Sequence, residues 1–379
     1  MDSDVKHLAI LGSTGSIGRQ TLEVVRAFPH RLKVVALAAG RNKALLAEQA
    51  REFKPKLVFL QGKESPLADE DWDYTFLPMH EMVTHPQVDV VVVATAGKAG
   101  LLPTMSALHA GKRVALANKE VLVMAGELII QEAKRHGGLL LPVDSEHSAI
   151  WQCLPEEGDP STICRILLTA SGGPFWHLSA EEVEKVTVAE ALSHPTWRMG
   201  RKVTVDSATL MNKGMEVIEA HWLFHVSYSQ IQVVIHRESI VHSMVEFIDG
   251  SIKAQISPPD MRLPIQYALS YPQRWSNDQL PHLDLSSGIS LTFQGVERGR
   301  FPCLDLALEV AKRGGTYPAV LSAADEVAVE LFLAGEMGFG DIHRRVESVV
   351  ERHQGVSHPS LEEILAADAW AREVARGGL

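Results

Sequence analysis

Two carboxylates stand one residue apart in Pro142-Val143-Asp144-Ser145-Glu146-His147, where an apolar run from Gly138 to Val143 ends. Read as the end of a buried strand, the run points Asp144 and Glu146 to the same side, because residues i and i+2 of an extended chain share a face. Two converging carboxylates repel unless a cation or a proton lies between them. The fitting occupant is a hard divalent metal such as Mg²⁺ or Mn²⁺. The competing reading is a solvated acidic loop ahead of a helix over 148–154. A third carboxylate is on offer in the segment Val205 to Ala220. Read as one capped helix, that segment sets Asn212, Lys213 and Glu216 on one face, at i, i+4 and i, i+3 spacings. The bland interpretation is a surface ion pair. The sharper one makes Glu216 the third metal ligand and gives a phosphate to Ser207, Asn212 and Lys213. Helical spacing alone leaves Glu219 open in place of Glu216.

A second pattern suits phosphates. Gly12-Ser13-Thr14-Gly15-Ser16-Ile17-Gly18 follows an apolar strand, His7 to Leu11, and precedes a helical pattern, Arg19 to Phe28. Glycines let the backbone approach a pyrophosphate, and a helix N-terminus offers free N–H groups and partial positive charge. The second strand, Leu32 to Ala38, runs into Ala39-Gly40-Arg41-Asn42 with no acidic residue to hold a ribose 2′-OH. Arg41 stands there instead, and a cation suits the 2′-phosphate of NADP. Asn118 and Glu120, past a later strand end, are placed to touch the nicotinamide half, and Lys119 to meet an anionic substrate. Ser171, followed by Gly172 and Gly173, reads as a second phosphate turn. The basic, proline-broken loop from His194 to Lys202 is suited to close over a substrate, with Trp197 and Met199 as apolar cover and Gly200 as hinge.

The elements that must position these residues alternate. Strands over 56–61, 88–95, 113–117 and 138–143 follow the first two, with helical patterns between them. That alternation predicts an α/β fold: a Rossmann-like, mostly parallel, doubly wound sheet first, then a central α/β catalytic domain with a lid loop. Pro258 to Gln294 reads as a connector. Residues 305–313, 320–334 and 360–376 carry helical periodicity, with a capping box at Ser360 to Glu363, and predict a C-terminal helical domain. The run Gln232 to Val245, with Gly250 to Ile256 beyond it, reads as strands at an interface between two copies.

Composition sets outer bounds. The chain has 379 residues, 46% hydrophobic and 22% charged, with a formal net charge of −11. That is too long for one ordinary core and too acidic for general nucleic-acid binding. Cys153, Cys164 and Cys303 fit neither a disulfide framework nor a zinc site. No signal segment or membrane span is legible, so a cytoplasmic protein is expected.

Taken together the segments resemble one family. GSTGSIG at Gly12 to Gly18, Ala117-Asn118-Lys119-Glu120, PVDSEH at Pro142 to His147, SGGPF at Ser171 to Phe175, HPTWRMGRK at His194 to Lys202 and VDSATLMNKG at Val205 to Gly214 look like 1-deoxy-D-xylulose 5-phosphate reductoisomerases, in the family's order. The resemblance implies an NADPH- and divalent-metal-dependent enzyme (Mg²⁺, Mn²⁺ or Co²⁺) acting on a small sugar phosphate, generally homodimeric. It implies a domain over 1–150 that binds NADPH, a catalytic domain over 151–275 with its lid at 194–202, a connector over 276–300 and a helical domain over 301–379. Thr14, Gly15, Ser16, Ile17, Gly40, Arg41, Asn42, Asn118, Glu120 and Gly200 match NADPH-binding positions. Asp144, Glu146 and Glu216 match the metal ligands, which selects Glu216 over Glu219. Lys119, Ser145, Glu146, Ser171, His194, Ser207, Asn212, Lys213 and Glu216 match the substrate site, and Trp197 and Met199 the lid. Lys119, Glu146 and Glu216 are the expected catalytic groups. Ala170 stands where glycine is common in the family, and Arg41 where lysine is common. Two rivals are another NADP-dependent oxidoreductase, which in the semialdehyde dehydrogenase class needs a nucleophilic cysteine, and a non-catalytic NADP sensor.

Overall fold

The computed structural model describes residues 5–62, 72–155, 159–193, 197, 199–297 and 299–377. The chain forms two compact units. The first comprises residues 1–121, 129–148 and 260–281, the second residues 122–128, 149–259 and 282–379.

In the first unit, seven parallel strands run β1 (Lys6–Leu11), β2 (Leu32–Ala39), β3 (Leu57–Leu60), β4 (Thr75–Phe76), β5 (Val90–Val93), β6 (Arg113–Leu116) and β7 (Leu139–Pro142). Their spatial order is β4-β3-β2-β1-β5-β6-β7. The chain winds outward from β1 one way and then, through β5, the other, so the order reverses between β1 and β5. That is the switch point where doubly wound sheets bind ligands beyond their strand ends. Leu8, Ala9, Ile10 and Leu11 are fully buried, as are Val91, Val92 and Val93. Continuous apolar runs of this kind mark strands covered on both faces.

The reading of 258–294 as a plain connector needs revision. It contains a helix, Arg262–Ser270, which packs on the helix Ser16–Ala27. Lys6 Nζ donates to Leu269 O at 2.7 Å, and the rings of Phe28 and Trp275 pack at a tilt with centroids 5.0 Å apart. Prolines hid this helix: Pro258, Pro259 and Pro272 flank it and Pro264 lies inside it, in the first turn, where no N–H partner is lost.

The second unit holds a mixed sheet ordered β11-β10-β8-β9-β12: β8 (Ile163–Ala170), β9 (Ile231–Ile235), β10 (Val241–Phe247), β11 (Ile252–Ile256) and β12 (Gln294–Gly295). β8 and β9 run parallel; β10 is antiparallel to β8 and to β11. Ile166, Leu168 and Val245 from the sheet pack with Val217, Ala220 and Phe224 of the helix Met211–Phe224. The other side of that helix joins the C-terminal helices in one core: Met211, Met215 and Ile218 pack with Leu306, Ala307, Val310, Val320 and Ala324. The tail helices are Pro302–Arg313, Tyr317–Ala334, Asp341–Arg352 and Leu361–Arg376. They share a core with the helix Met211–Phe224 rather than standing apart from it.

Candidate active site

In the first unit the glycine turn is built around β1 and β5. Gly12 has φ +83, and a Cβ there would lie 2.4 Å from Ala94 O. A Cβ on Gly18 would lie 2.3 Å from Gly12 O. The turn therefore closes on the end of β5 only because those side chains are absent. The helix Ser16–Ala27 has no side-chain cap and no acidic residue in its first turn. Its leading N–H groups face outward with the positive end of the helix dipole, a cradle that fits a pyrophosphate. Thr14, Ser16 and Ile17 are half-buried there and Gly15 is exposed. Gly40 ends β2 half-buried, and Arg41 and Asn42 are exposed beside it. Asn42 has a local task as well: its Oδ1 accepts from Leu45 N at 3.1 Å and caps the helix Lys43–Phe53.

Asn118 is buried at the end of β6. Its amide donates to Gly97 O at 2.9 Å and to Thr95 Oγ1 at 3.2 Å. A Cβ on Gly100 would sit 2.6 Å from that nitrogen. The Asn118 side chain is thus locked against the segment that follows β5, and its buried Oδ1 has no protein hydrogen-bond partner. A buried acceptor left open costs stability unless a ligand donor meets it, which fits an amide-bearing nicotinamide. Glu120 is buried next to it.

The acidic motif differs from its expected form. β7 stops at Pro142, and the helix that follows is Ser145–Cys153, three residues earlier than predicted. Ser148 N donates to Asp144 O at 2.8 Å, so Asp144 sits at the helix entrance and Glu146 in the first turn. Strand alternation is therefore not what brings them together. Their carboxylate oxygens still lie within 4.8 Å of each other, gathered by a helical first turn. Ser145 donates its hydroxyl to Glu146. Lys119 Nζ is 2.6 Å from Asp144 Oδ2, and buried His147 places Nδ1 3.6 Å from Asp144 Oδ1. Burial opposes charge on Asp144, but the Lys119 ammonium and then His147 outweigh it and hold the carboxyl well below its usual range. The motif is thus an ionised carboxylate beside a buried cation, with the oxygen donors that a hard metal prefers.

In the second unit the predicted helix Val205 to Ala220 is two helices, Arg201–Thr209 and Met211–Phe224, divided at Leu210 with φ 58. Asn212, Lys213 and Glu216 do share one face. Asn212 Nδ2 donates to Glu216 Oε1 at 2.5 Å, and Lys213 donates to Glu216 Oε2. The pair is no surface ion pair: Lys213 and Glu216 are 3% and 1% exposed. The Ser171 turn lies against the break between the helices. Gly172 and Gly173 have φ +80 and +67, and a Cβ on Gly173 would lie 2.7 Å from Ser207 O. Gly173 N donates to Ser171 Oγ at 3.3 Å. Two positive-φ glycines thus seat the Ser171 turn against the backbone of Ser207.

The lid is covered in part. Trp197 is half-buried with its ring 6.0 Å from that of His242, and Met199 is half-buried. His194 lies outside the described residues. Gly200 is the exposed N-cap of the helix Arg201–Thr209, so Arg201 and Lys202 are helical. Lys202 faces inward, with Nζ 2.6 Å from Asp206 and 2.8 Å from Asp325.

Asp206, His242 and Asp325, all buried and polar, had no assigned role from sequence. The signal was weak, since burial of a charge is invisible in a local pattern. The cysteine rival loses its nucleophile at two positions. Burial pushes the Cys153 thiol up to about 11 and raises that of Cys303 further, so neither forms a thiolate readily.

The match to known proteins runs along the chain. Residues 8–126 match the family model for 1-deoxy-D-xylulose 5-phosphate reductoisomerase, residues 140–224 the model for its C-terminal domain, and residues 256–374 the model for the DXP reductoisomerase C-terminal domain. The chain is 54% identical to the 1-deoxy-D-xylulose 5-phosphate reductoisomerase of Pelotomaculum thermopropionicum, over 98% of this chain and 97% of that protein. It is 53% identical to that of Desulforamulus reducens, over 98% of each. Among solved structures, the reductoisomerase from Zymomonas mobilis in complex with NADPH is 40% identical with a TM-score of 0.90, covering 98% of each chain. A DOX-P reductoisomerase in complex with NADPH, fosmidomycin and magnesium is 41% identical with a TM-score of 0.92, again over 98% of each chain. With identity of this order over nearly the whole length, the chain belongs to the 1-deoxy-D-xylulose 5-phosphate reductoisomerase family.

Proposed function

We propose that this protein converts 1-deoxy-D-xylulose 5-phosphate to 2-C-methyl-D-erythritol 4-phosphate with NADPH and a divalent metal, a step of non-mevalonate isoprenoid precursor biosynthesis. The observation that carries the reading is the full-length likeness to a reductoisomerase solved with NADPH, fosmidomycin and magnesium. When bound, the metal supplies Lewis acidity to the substrate's keto and hydroxyl oxygens, and NADPH supplies hydride. The remaining work belongs to the chain.

Asp144, Glu146 and Glu216 are the proposed metal ligands, all oxygen donors, which admit Mg²⁺, Mn²⁺ or Co²⁺. Ser171, Ser207, Asn212 and Lys213 bind the substrate phosphate, with His194 and Ser145 completing the contacts. Lys119, in its pair with Asp144, offsets negative charge and, with Glu146, moves protons as one carbon–carbon bond breaks and another forms. Thr14, Gly15, Ser16 and Ile17 hold the pyrophosphate of NADPH, and Gly40, Arg41 and Asn42 the 2′-phosphate end. Asn118 and Glu120 orient the nicotinamide. Trp197 and Met199, carried on Gly200, exclude water, and binding of the remote phosphate helps hold them closed.

A homodimer is the proposed assembly. β11 is an edge strand, and Ile248, Ile252 and Ile256 are 71%, 52% and 40% exposed on and beside it. An apolar edge of this kind is a template for pairing with a second copy. A cytoplasmic location is proposed with it. The three cysteines are free and no described helix is long and apolar enough to cross a membrane.

The test follows NADPH absorbance with 1-deoxy-D-xylulose 5-phosphate, with Mg²⁺ or Mn²⁺ and then with a chelator. Oxidation is expected only with substrate and metal together. NADPH binding without any oxidation would favour the sensor reading instead. In the same assay Arg41→Ala is expected to raise KM for NADPH roughly tenfold, a loss of about 1.4 kcal/mol, with kcat little changed.

A further inference from the structure

Away from the acidic motif, in the first unit, three metal-ligating side chains meet where two helices end. His109 is the last residue of the helix Leu101–His109, and His136 the last residue of the helix Lys119–His136. Glu132 lies one turn before His136 on the same helix face. Glu132 Oε1 is 2.7 Å from His109 Nδ1 and 3.3 Å from His136 Nε2, and one ligand atom from each of the three residues lies within 4.8 Å of the other two. The two imidazole rings have centroids 4.2 Å apart. We propose that His109, Glu132 and His136 form a second metal site, selective for a borderline-soft divalent transition ion such as Zn²⁺.

Three physical points carry this. First, two imidazole nitrogens and one carboxylate oxygen are the donor set that Zn²⁺ takes when it keeps a fourth position for water. Ligands 2.0–2.1 Å from a tetrahedral ion stand roughly 3.3 Å from one another. His136 already has that separation from Glu132, and His109 needs to withdraw by about half an ångström. His109 is the most exposed of the three and at a helix end, so it is free to do so. Second, both helices end here, and the negative end of each helix dipole favours a cation. Third, the competing cation is weak: Arg135, 70% exposed, reaches only to 3.9 Å from Glu132 Oε2. Imidazole donors also separate this site from the proposed catalytic one, since Mg²⁺ prefers oxygen ligands and leaves nitrogen sites to Zn²⁺, Ni²⁺ and Co²⁺. A bound ion would join the ends of the two helices that flank β6, as a staple on the nucleotide-binding unit.

The experiment measures Zn²⁺ bound to the metal-stripped full-length protein in millimolar Mg²⁺, by equilibrium dialysis with elemental analysis. His109→Ala, His136→Ala and Glu216→Gln are run beside the unaltered chain. The expectation is one Zn²⁺ equivalent that both histidine variants lose or bind at least tenfold more weakly and that Glu216→Gln retains. Co²⁺ in place of Zn²⁺ should give visible absorption of a nitrogen-ligated four-coordinate ion, absent from both histidine variants. Circular dichroism of the metal-free variants controls for folding, and Mg²⁺-dependent turnover should be unchanged by His109→Ala. Equal Zn²⁺ stoichiometry and affinity in the unaltered chain and both histidine variants would overturn the site, as would no Zn²⁺ bound in Mg²⁺.

Discussion

At the residue scale, the site is a set of charges kept buried by their partners. Glu216 illustrates the consequence. From sequence, its change to glutamine is expected to leave folding normal and remove one metal ligand. In the structure the same carboxylate neutralises the buried ammonium of Lys213. Glu216→Gln is therefore expected to do two things. Turnover should fall roughly 10²–10³-fold, the worth of several kcal/mol of metal-borne charge stabilisation. Stability should fall by about 3 kcal/mol, because Lys213 is left facing a neutral amide. Steady-state kinetics and urea denaturation read the two effects separately, and a variant of full stability would show that Lys213 finds another counterion. His242 gives a pH dependence. Burial pushes its imidazole down from the ordinary value, with Lys213 and His236 adding to that and backbone acceptors at Ser257 and Pro258 opposing it. The folded protein holds His242 neutral while the unfolded chain protonates it below about pH 6.5. Its contribution is therefore complete above that pH and is lost as pH falls toward the folded value. His242→Gln should flatten the stability curve below pH 6.5 in thermal melts; an unchanged slope would remove His242 as a source.

At the element scale, turns and helix boundaries decide where those residues point. Gly173 sits at φ +67 with no room for a Cβ beside Ser207. Gly173→Ala should cost about 1–3 kcal/mol from backbone strain and push the Ser171 turn off Ser207. KM for the sugar phosphate is expected to rise with a smaller change in KM for NADPH; equal changes in both would point to general loosening of the fold. The strands of the first unit other than β4, the glycine turn and the capping box at Ser360 were legible, since each rests on local periodicity or a fixed offset. The break at Leu210 was not, because a leucine at positive φ leaves no mark in a sequence. The helix Asp341–Arg352 carries its own signal in buried Ile342, Val346, Val349 and Val350. The helix Lys119–His136 was predicted only as a pattern between strands. Its non-helical Ala125 and the packing of Gly126 on Trp222 appear only in three dimensions.

At the scale of the whole molecule, each unit has its own sheet, and the second ends in an exposed edge strand. Ile252→Lys with Ile256→Lys places two charges on β11, the device natural edges use against pairing. Light scattering is expected to find the unaltered chain as a dimer and the double variant as a monomer. A double variant that stays dimeric would move the interface elsewhere. The tail, by contrast, is tied inward. Lys202 of the helix Arg201–Thr209 bonds Asp325 of the helix Tyr317–Ala334, and Asp325 is fully buried. The C-terminal helices thus brace the helix that carries Ser207, a role that their own sequence, without any chemical motif, did not announce.

The sequence by itself determined the α/β class, the glycine turns, the acidic pair and the family, because these depend on residue identity, short spacings and segment order. Tertiary structure alone decided which charges are buried and what neutralises them: Asp144 by Lys119, Glu216 by Lys213, Asp325 by Lys202. It also decided that Asp144 and Glu146 meet in a helical turn and not along a strand. The reason is one of range. Hydrogen-bond periodicity and backbone sterics act over a few residues and leave a pattern in the chain, whereas desolvation and ion pairing depend on neighbours that the chain brings together only by folding.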